Sequence, residues 1–265
     1  MSPRDPFGKA LFDARRSLLG WTVAVLAVGA MYASFWPTIQ TPEMTRALAA
    51  YPKGVMEAFN YTDLTSAAGY LGSAVYGLLV PLLLVVFAVS AGTRAVAGDE
   101  EAGTLDLTLA HPVGRARLAL HRFAALAVAI VVITALLGLV MVGLSGPVDF
   151  AGVSPAEFAA VSLHLALFGT TFAALAFALG AATGRRAFTL AVSAGVAVLA
   201  YLANSVLPQV EALAWTRRLS PFHWYLGGDP LAHGPQPTGL LLLLATTAVL
   251  VAAGTWTFTR RDLTS

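Results

Sequence analysis

The polar side chains able to do chemistry in this chain gather in one segment, Asp99-Glu100-Glu101-Ala102-Gly103-Thr104-Leu105-Asp106-Leu107-Thr108-Leu109-Ala110-His111-Pro112-Val113-Gly114-Arg115. Asp99, Glu100 and Glu101 put three carboxylates where a helix N-terminus favours negative charge. Ala102, Leu105 and Leu109 recur on one face at i, i+3 and i+7, and Pro112 stops the element. An apolar stripe behind an acidic start suits helix-in-groove recognition by a soluble partner. It suits equally well a helix lying on a membrane surface.

Other chemistries find little support. The chain has no cysteine, which removes disulfides, thiolate metal sites and Cys nucleophiles together. His111, His121, His164, His223 and His233 are scattered, with no helical pair at ligand spacing, so no metal site is expected. No G-x-x-x-x-G-K-[ST] loop is present to cradle phosphates, and Gly8-Lys9 lacks both the upstream glycine and a following Ser or Thr. Gly143-Leu144-Ser145-Gly146 has the G-x-S-G look of a serine nucleophile. Such a serine needs a base within hydrogen-bond reach.

The elements that must position these residues are set by the solvent they fold in. Hydrophobic residues make up 57% of the chain and charged residues 11%, where soluble domains carry roughly 25% charged residues. A bilayer core about 30 Å thick takes about 20 apolar residues of helix to cross. Six segments qualify: Leu18 to Trp36, Ser66 to Ala95, Leu118 to Leu144, Ala156 to Thr183, Ala187 to Leu207 and Gly239 to Phe258. They are too long for barrel strands, and helix satisfies its own backbone in lipid. The expected fold is therefore an all-α polytopic membrane protein, with residues 1–265 forming one transmembrane domain. The first span is expected to be retained, although Arg15 and Arg16 lead into it as in a signal peptide.

Orientation follows from the basic residues. Arg4, Lys9, Arg15, Arg16, Arg94, Arg115, Arg117, Arg122, Arg185, Arg186, Arg260 and Arg261 fall on one side, while Arg46, Lys53, Arg217 and Arg218 fall on the other. Twelve against four predicts that both termini and the acidic segment are cytoplasmic. The net charge of +2 then reflects topology and implies no nucleic-acid partner.

Before the first span, Asp5 and Pro6 read as the start of an amphipathic elbow helix over residues 5–17, with Phe7, Ala10, Leu11 and Ala14 on its membrane face. Thr41-Pro42-Glu43 signals a short helix in the first outer loop. Pro81 predicts a kink in the second segment. Residues 208–238, punctuated by Pro208, Pro221, Pro230, Pro235 and Pro237 and rich in aromatics, read either as short re-entrant half-helices or as an interfacial loop anchoring the bundle. Gly180 and Gly184 form a small-xxx-small pair able to bring helices close.

The membrane cores hold no Asp or Lys. A self-powered, ion-coupled carrier needs such groups at depth, so their absence counts against one, and with no phosphate loop in the chain any nucleotide energy has to come from another polypeptide. His164, Asn204 and Pro81 remain as pathway or packing residues, with His164 best read as a hydrogen-bond donor between helices.

The segment Glu101 to Arg115 resembles the "E-x-G-T-L-x-L-L-L-A-x-P-V-S-R" stretch that follows the second span in type-2 ABC exporter permeases. Leu219-Ser220-Pro221-Phe222-His223-Trp224-Tyr225, Asp229-Pro230-Leu231 and the closing Phe258-Thr259-Arg260-Arg261-Asp262-Leu263 are similar to that family's "L-S-P-F-x-Y", "D-P-L" and "F-x-R-R-D-L" motifs. Gly114 stands where the family often has Ser, and Asp106 where it often has Glu.

This resemblance implies a permease with an elbow helix, six spans, short re-entrant helices before the last span, and a coupling helix over residues 99–111. The coupling residues would be Glu100, Glu101, Gly103, Thr104, Leu105, Asp106, Leu109, Pro112 and Arg115. It further implies an ABC ATPase partner in two copies carrying the ATP and magnesium, and a second permease copy, identical or related. The setting would be the lipid of a bacterial cytoplasmic membrane, and an apolar pathway suggests a hydrophobic or amphipathic cargo. Some proteins of this appearance assist copper-enzyme maturation. The alternatives are a non-transporting membrane scaffold and an intramembrane serine protease of the rhomboid type. In that protease family the nucleophile lies on the fourth span and its histidine on the sixth. Here Ser145 ends the third, and the sixth has no histidine.

Overall fold

A computed structural model describes residues 6–50, 52, 54, 66–98 and 114–261, and the acidic segment from 99 to 113 lies outside them. Among the described residues the chain is helix and turn, with no strand. Six helices are long and apolar enough to cross a membrane.

The chain enters as α1 (Pro6–Ser34), followed by the short α2 (Trp36–Ile39) and α3 (Pro42–Ala49). α4 (Ala67–Tyr70), a π turn (Leu71–Val75) and α5 (Leu79–Thr93) make the second span, which ends in another π turn (Arg94–Gly98). α6 (Arg115–Val148), α7 (Pro155–Thr183) and α8 (Arg186–Ser205) are the next three spans. Two 3-10 turns (Leu207–Gln209 and Glu211–Leu219), α9 (Pro221–Leu226) and α10 (Pro230–His233) then lead into the last span, α11 (Pro237–Arg260).

Several helix ends have a local cause. Ser154 N–H donates to the Glu157 carboxylate at 2.6 Å, a capping box with Pro155 at the first helical position of α7. α7 stops at Gly184, whose φ of 67° breaks the helix while its N–H still reaches the Gly180 carbonyl at 2.8 Å. Gly184 is thus a cap. The small-xxx-small expectation for Gly180 and Gly184 is corrected by that left-handed turn. α6 runs past the expected Leu144 to Val148 and ends on Asp149 at φ 57°, a conformation that Asp tolerates. Asp149 also presents its carbonyl to the Trp36 indole N–H at 3.2 Å, which fixes α2 against the α6–α7 turn.

Two expected breaks fall differently. The elbow segment and the first span form one continuous helix, because between Gly8 and Gly20 no proline or glycine interrupts the ladder. The second span does break, but at Tyr76 to Leu78 and not at Pro81 itself. Proline disturbs the turn preceding it, since it cannot donate back to residue i−4 and its ring crowds that carbonyl. Pro81 sits buried as the third residue of α5, so the disturbed turn lies just before the helix.

α7 is the most deeply buried span and packs against α11, α5 and α6. Lipid is as apolar as leucine, so close packing, and not water exclusion, must hold such helices together. A Cβ on Gly92 of α5 would lie 2.6 Å from the Ala173 carbonyl oxygen of α7, and one on Gly254 of α11 would lie 2.8 Å from the Ala178 Cα. Only glycine allows these approaches. Thr171 and Thr247 join α7 to α11 through a 3.0 Å hydroxyl contact.

Candidate functional site

The two ends of the bundle differ in chemistry. At one end the Arg122 guanidinium donates to the Ala95 carbonyl at 2.8 Å, and Arg115 donates to the Arg261 carbonyl at 3.2 Å. These contacts fasten both flanks of residues 99–113 to the bundle. Of the expected coupling residues, Arg115 is described and opens α6, while Glu100, Glu101, Gly103, Thr104, Leu105, Asp106, Leu109 and Pro112 fall in the segment outside the described residues.

At the opposite end the segment after α8 turns back into the bundle. Thr216 Oγ1 donates to the Ala203 carbonyl at 3.1 Å, and Ser220 Oγ donates to the Ala200 carbonyl at 2.7 Å. Ala200 lies five residues before the end of α8, so at 1.5 Å per residue Ser220 sits about 8 Å below that end. Ser220 then caps α9, with Pro221 at its first position. Phe222 and Tyr225 carry their rings onto Phe168 of α7 at 4.8 and 4.9 Å between centroids, and Phe172 completes the stack at 5.0 Å from Phe168. Residues 216–220 fold back along the last turns of α8, the course that the re-entrant reading of residues 208–238 expects. Phe222, Tyr225 and Leu231 are buried in protein, which is the condition for irregular backbone at this depth.

Pro81 has a role in this arrangement. The break it imposes leaves Tyr76 in the turn ahead of α5, and the Tyr76 carbonyl accepts the Tyr225 hydroxyl at 3.1 Å. A re-entrant residue thus bonds a carbonyl in the turn that the proline disturbs.

His164 is fully buried, nine residues along α7 and so about 14 Å from its start. Its Nε2 accepts the main-chain N–H of Gln236 at 3.0 Å, and the carbonyls of Trp224 and Tyr225 lie beside the ring. The expectation of a donor between helices is corrected. His164 is an acceptor, and its partner is the backbone of the re-entrant segment. Asn204 lies half-buried near the end of α8, donating to Ser205 Oγ at 3.1 Å. Ser145 Oγ donates to the Val142 carbonyl of its own helix at 2.6 Å. That is an ordinary helix-bound serine and no arrangement for nucleophilic attack.

The six spans contain a single carboxylate, Glu157. It is occupied by the cap at the first turn of α7. In the re-entrant segment, burial and then the positive charges of Arg217 and Arg218 push the His223 imidazole below its ordinary range.

A family profile for ABC-2 family transporter proteins matches residues 7–263. The chain belongs to that family. No curated protein matches the sequence. ABC-2 proteins are the membrane components of ABC transporters and work with an ABC ATPase partner, so this chain is a multi-pass ABC-2 permease subunit and is not itself the catalyst. Sequence reasoning reached the family through residues 101–115, 219–231 and 258–263. It missed the contact between His164 and Gln236, which joins a side chain to a backbone N–H 72 positions away and leaves no mark in local spacing.

Proposed function

We propose that this chain is the permease of an ATP-driven exporter that moves a hydrophobic or amphipathic substrate across a bacterial cytoplasmic membrane. Both termini and residues 99–113 face the cytoplasm. Two copies of the chain, or one copy and a related permease, form the pathway along their seam, and two ATPase subunits carry the ATP and magnesium. The helix over residues 99–111 docks in a groove of the ATPase, with Leu105 and Leu109 as apolar anchors and Glu100, Glu101 and Asp106 as its charged face.

One observation carries this reading: an ABC-2 family match over a six-span bundle whose single intramembrane carboxylate is used as a helix cap. Such a bundle offers no free intramembrane carboxylate to couple an ion gradient to transport. The apolar interior, with hydroxyls that mostly bond back to nearby carbonyls, supports a cargo that needs no fixed charge.

Co-expression with a candidate ABC ATPase subunit tests the proposal. Glu101→Lys and Leu105→Asp should each lower ATPase recovery in a pull-down by about tenfold or more, while membrane insertion stays intact. Undiminished recovery with both variants would remove the docking role of the segment.

A further inference from the structure

Beyond the Gln209 and Thr216 contacts with α8, two buried hydrogen bonds and one half-buried one hold the segment to the bundle, and they differ in kind. Ser220 and Tyr225 reach from the segment to carbonyls of Ala200 and Tyr76. Only the third bond is made by a side chain of the spans: His164 Nε2 accepts the Gln236 N–H. Gln236 is also the residue that caps α11 just before Pro237, so this bond fixes both the end of the segment and the start of the last span. Next to it, a Cβ on Gly239 would collide with the Trp224 carbonyl, which shows how closely α9, α11 and His164 are brought together.

Asp229 at φ 50° and Gly234 at φ 73° bracket α10 with left-handed turns, so α9, α10 and α11 are separate rigid pieces joined by sharp corners. Beneath them Leu231 is 1% exposed and seats against Gly72, whose Cβ position lies 3.8 Å from Leu231 Cδ1.

We infer that His164 is the positioning residue that clasps this segment shut as a lid over the outer end of the bundle, and that it does so as a hydrogen-bond acceptor at Nε2. An acceptor at that place needs the ring neutral with its proton on Nδ1, a buried atom that has no hydrogen-bond partner of its own. Losing the acceptor leaves the half-buried Gln236 N–H without a partner, and that penalty falls on the closed state alone. The inference deepens the exporter reading, since it assigns the outer closure of the same pathway, and it takes the sidedness of the chain from that reading.

Because the chain has no cysteine, a single Leu231→Cys reports lid opening directly. Intact cells are treated with a charged, membrane-impermeant maleimide, and Ala212→Cys on the exposed 3-10 turn serves as a surface control. In the otherwise unaltered chain Leu231→Cys labels slowly. Glutamine carries its carbonyl oxygen where histidine carries Nε2, whereas asparagine reaches only as far as Nδ1. His164→Gln should therefore keep labelling slow, while His164→Asn and His164→Leu raise the rate about fivefold to tenfold. Should His164→Leu fail to reach the membrane, the comparison of Gln with Asn still decides. Equal rates in Gln and Asn variants would overturn the acceptor role. The readout needs neither ATPase nor cargo, so its failure leaves the exporter reading standing, whereas an Ala212→Cys control that is silent from outside would overturn the sidedness.

Discussion

Phe168→Ala should loosen the re-entrant segment more than any other single truncation in the bundle. Phe168 is fully buried and meets Phe172, Phe222 and Tyr225 at 5.0, 4.8 and 4.9 Å between centroids, so its ring joins α7 to α9. Removing the ring opens a void of roughly 100 Å³, which at about 24 cal/mol per Å³ is about 2.4 kcal/mol. Each lost aromatic pair adds about 0.5 to 1.5 kcal/mol. The transfer contribution that makes such truncations costlier in water is largely missing, because lipid is itself apolar. The expected loss is thus about 4 to 7 kcal/mol. It can be measured by titrating the purified protein in mixed micelles with a denaturing detergent and following tryptophan fluorescence. Phe168→Leu, which refills part of the void, should lose about half as much. A loss below about 1 kcal/mol for Phe168→Ala would refute the claim that the segment rests on this ring.

Gly92→Val should overpack the α5–α7 contact at the Ala173 carbonyl and lower stability in the same titration by about 1 to 3 kcal/mol, whereas Gly195→Ala on the exposed part of α8 should be neutral. Glu157→Ala should cost about 0.5 to 1 kcal/mol as a lost cap, while Glu157→Gln, which keeps an acceptor, should melt close to the native midpoint; a Gln variant as unstable as the Ala variant would make the charge and not the cap the relevant property. His223 has a folded-state pKa below its unfolded value, so the unfolded chain binds more protons between the two. Stability should be full above the ordinary histidine pKa of about 6.5 and fall as the pH drops below it, and His223→Gln should flatten a melting profile taken from pH 7.5 to 5 in that range.

The parts legible in the sequence are those with local causes. The fourth span was expected from Ala156 to Thr183 and runs Pro155–Thr183, because a capping box and a following glycine mark its ends in the residues themselves. The last span likewise follows Pro237 and ends among arginines. The break near Pro81 was foreseeable in kind, but its place at Tyr76 to Leu78 follows from which carbonyl the proline cannot serve. The elbow did not separate from the first span because amphipathic patterning says which face meets lipid, not whether the helix bends.

His164 was visible only as an isolated histidine in an apolar helix. Its partner is a backbone N–H delivered by a segment that folds back about 8 Å below the end of α8. Composition could suggest that the segment re-enters, through its prolines and aromatics, but not which carbonyls and nitrogens it would meet. The acidic segment, the most readable chemistry in the sequence, lies at residues 99–113, between the tethers that Arg115 and Arg122 make to the bundle.

The most direct test of the account is whether this chain controls a separate ATPase. With the permease in lipid nanodiscs and its partner ABC ATPase added in pure form, hydrolysis should rise several-fold over ATPase alone, and Leu105→Asp in the permease should abolish that rise. Hydrolysis that is the same with the native permease, with Leu105→Asp and with empty nanodiscs would contradict the account.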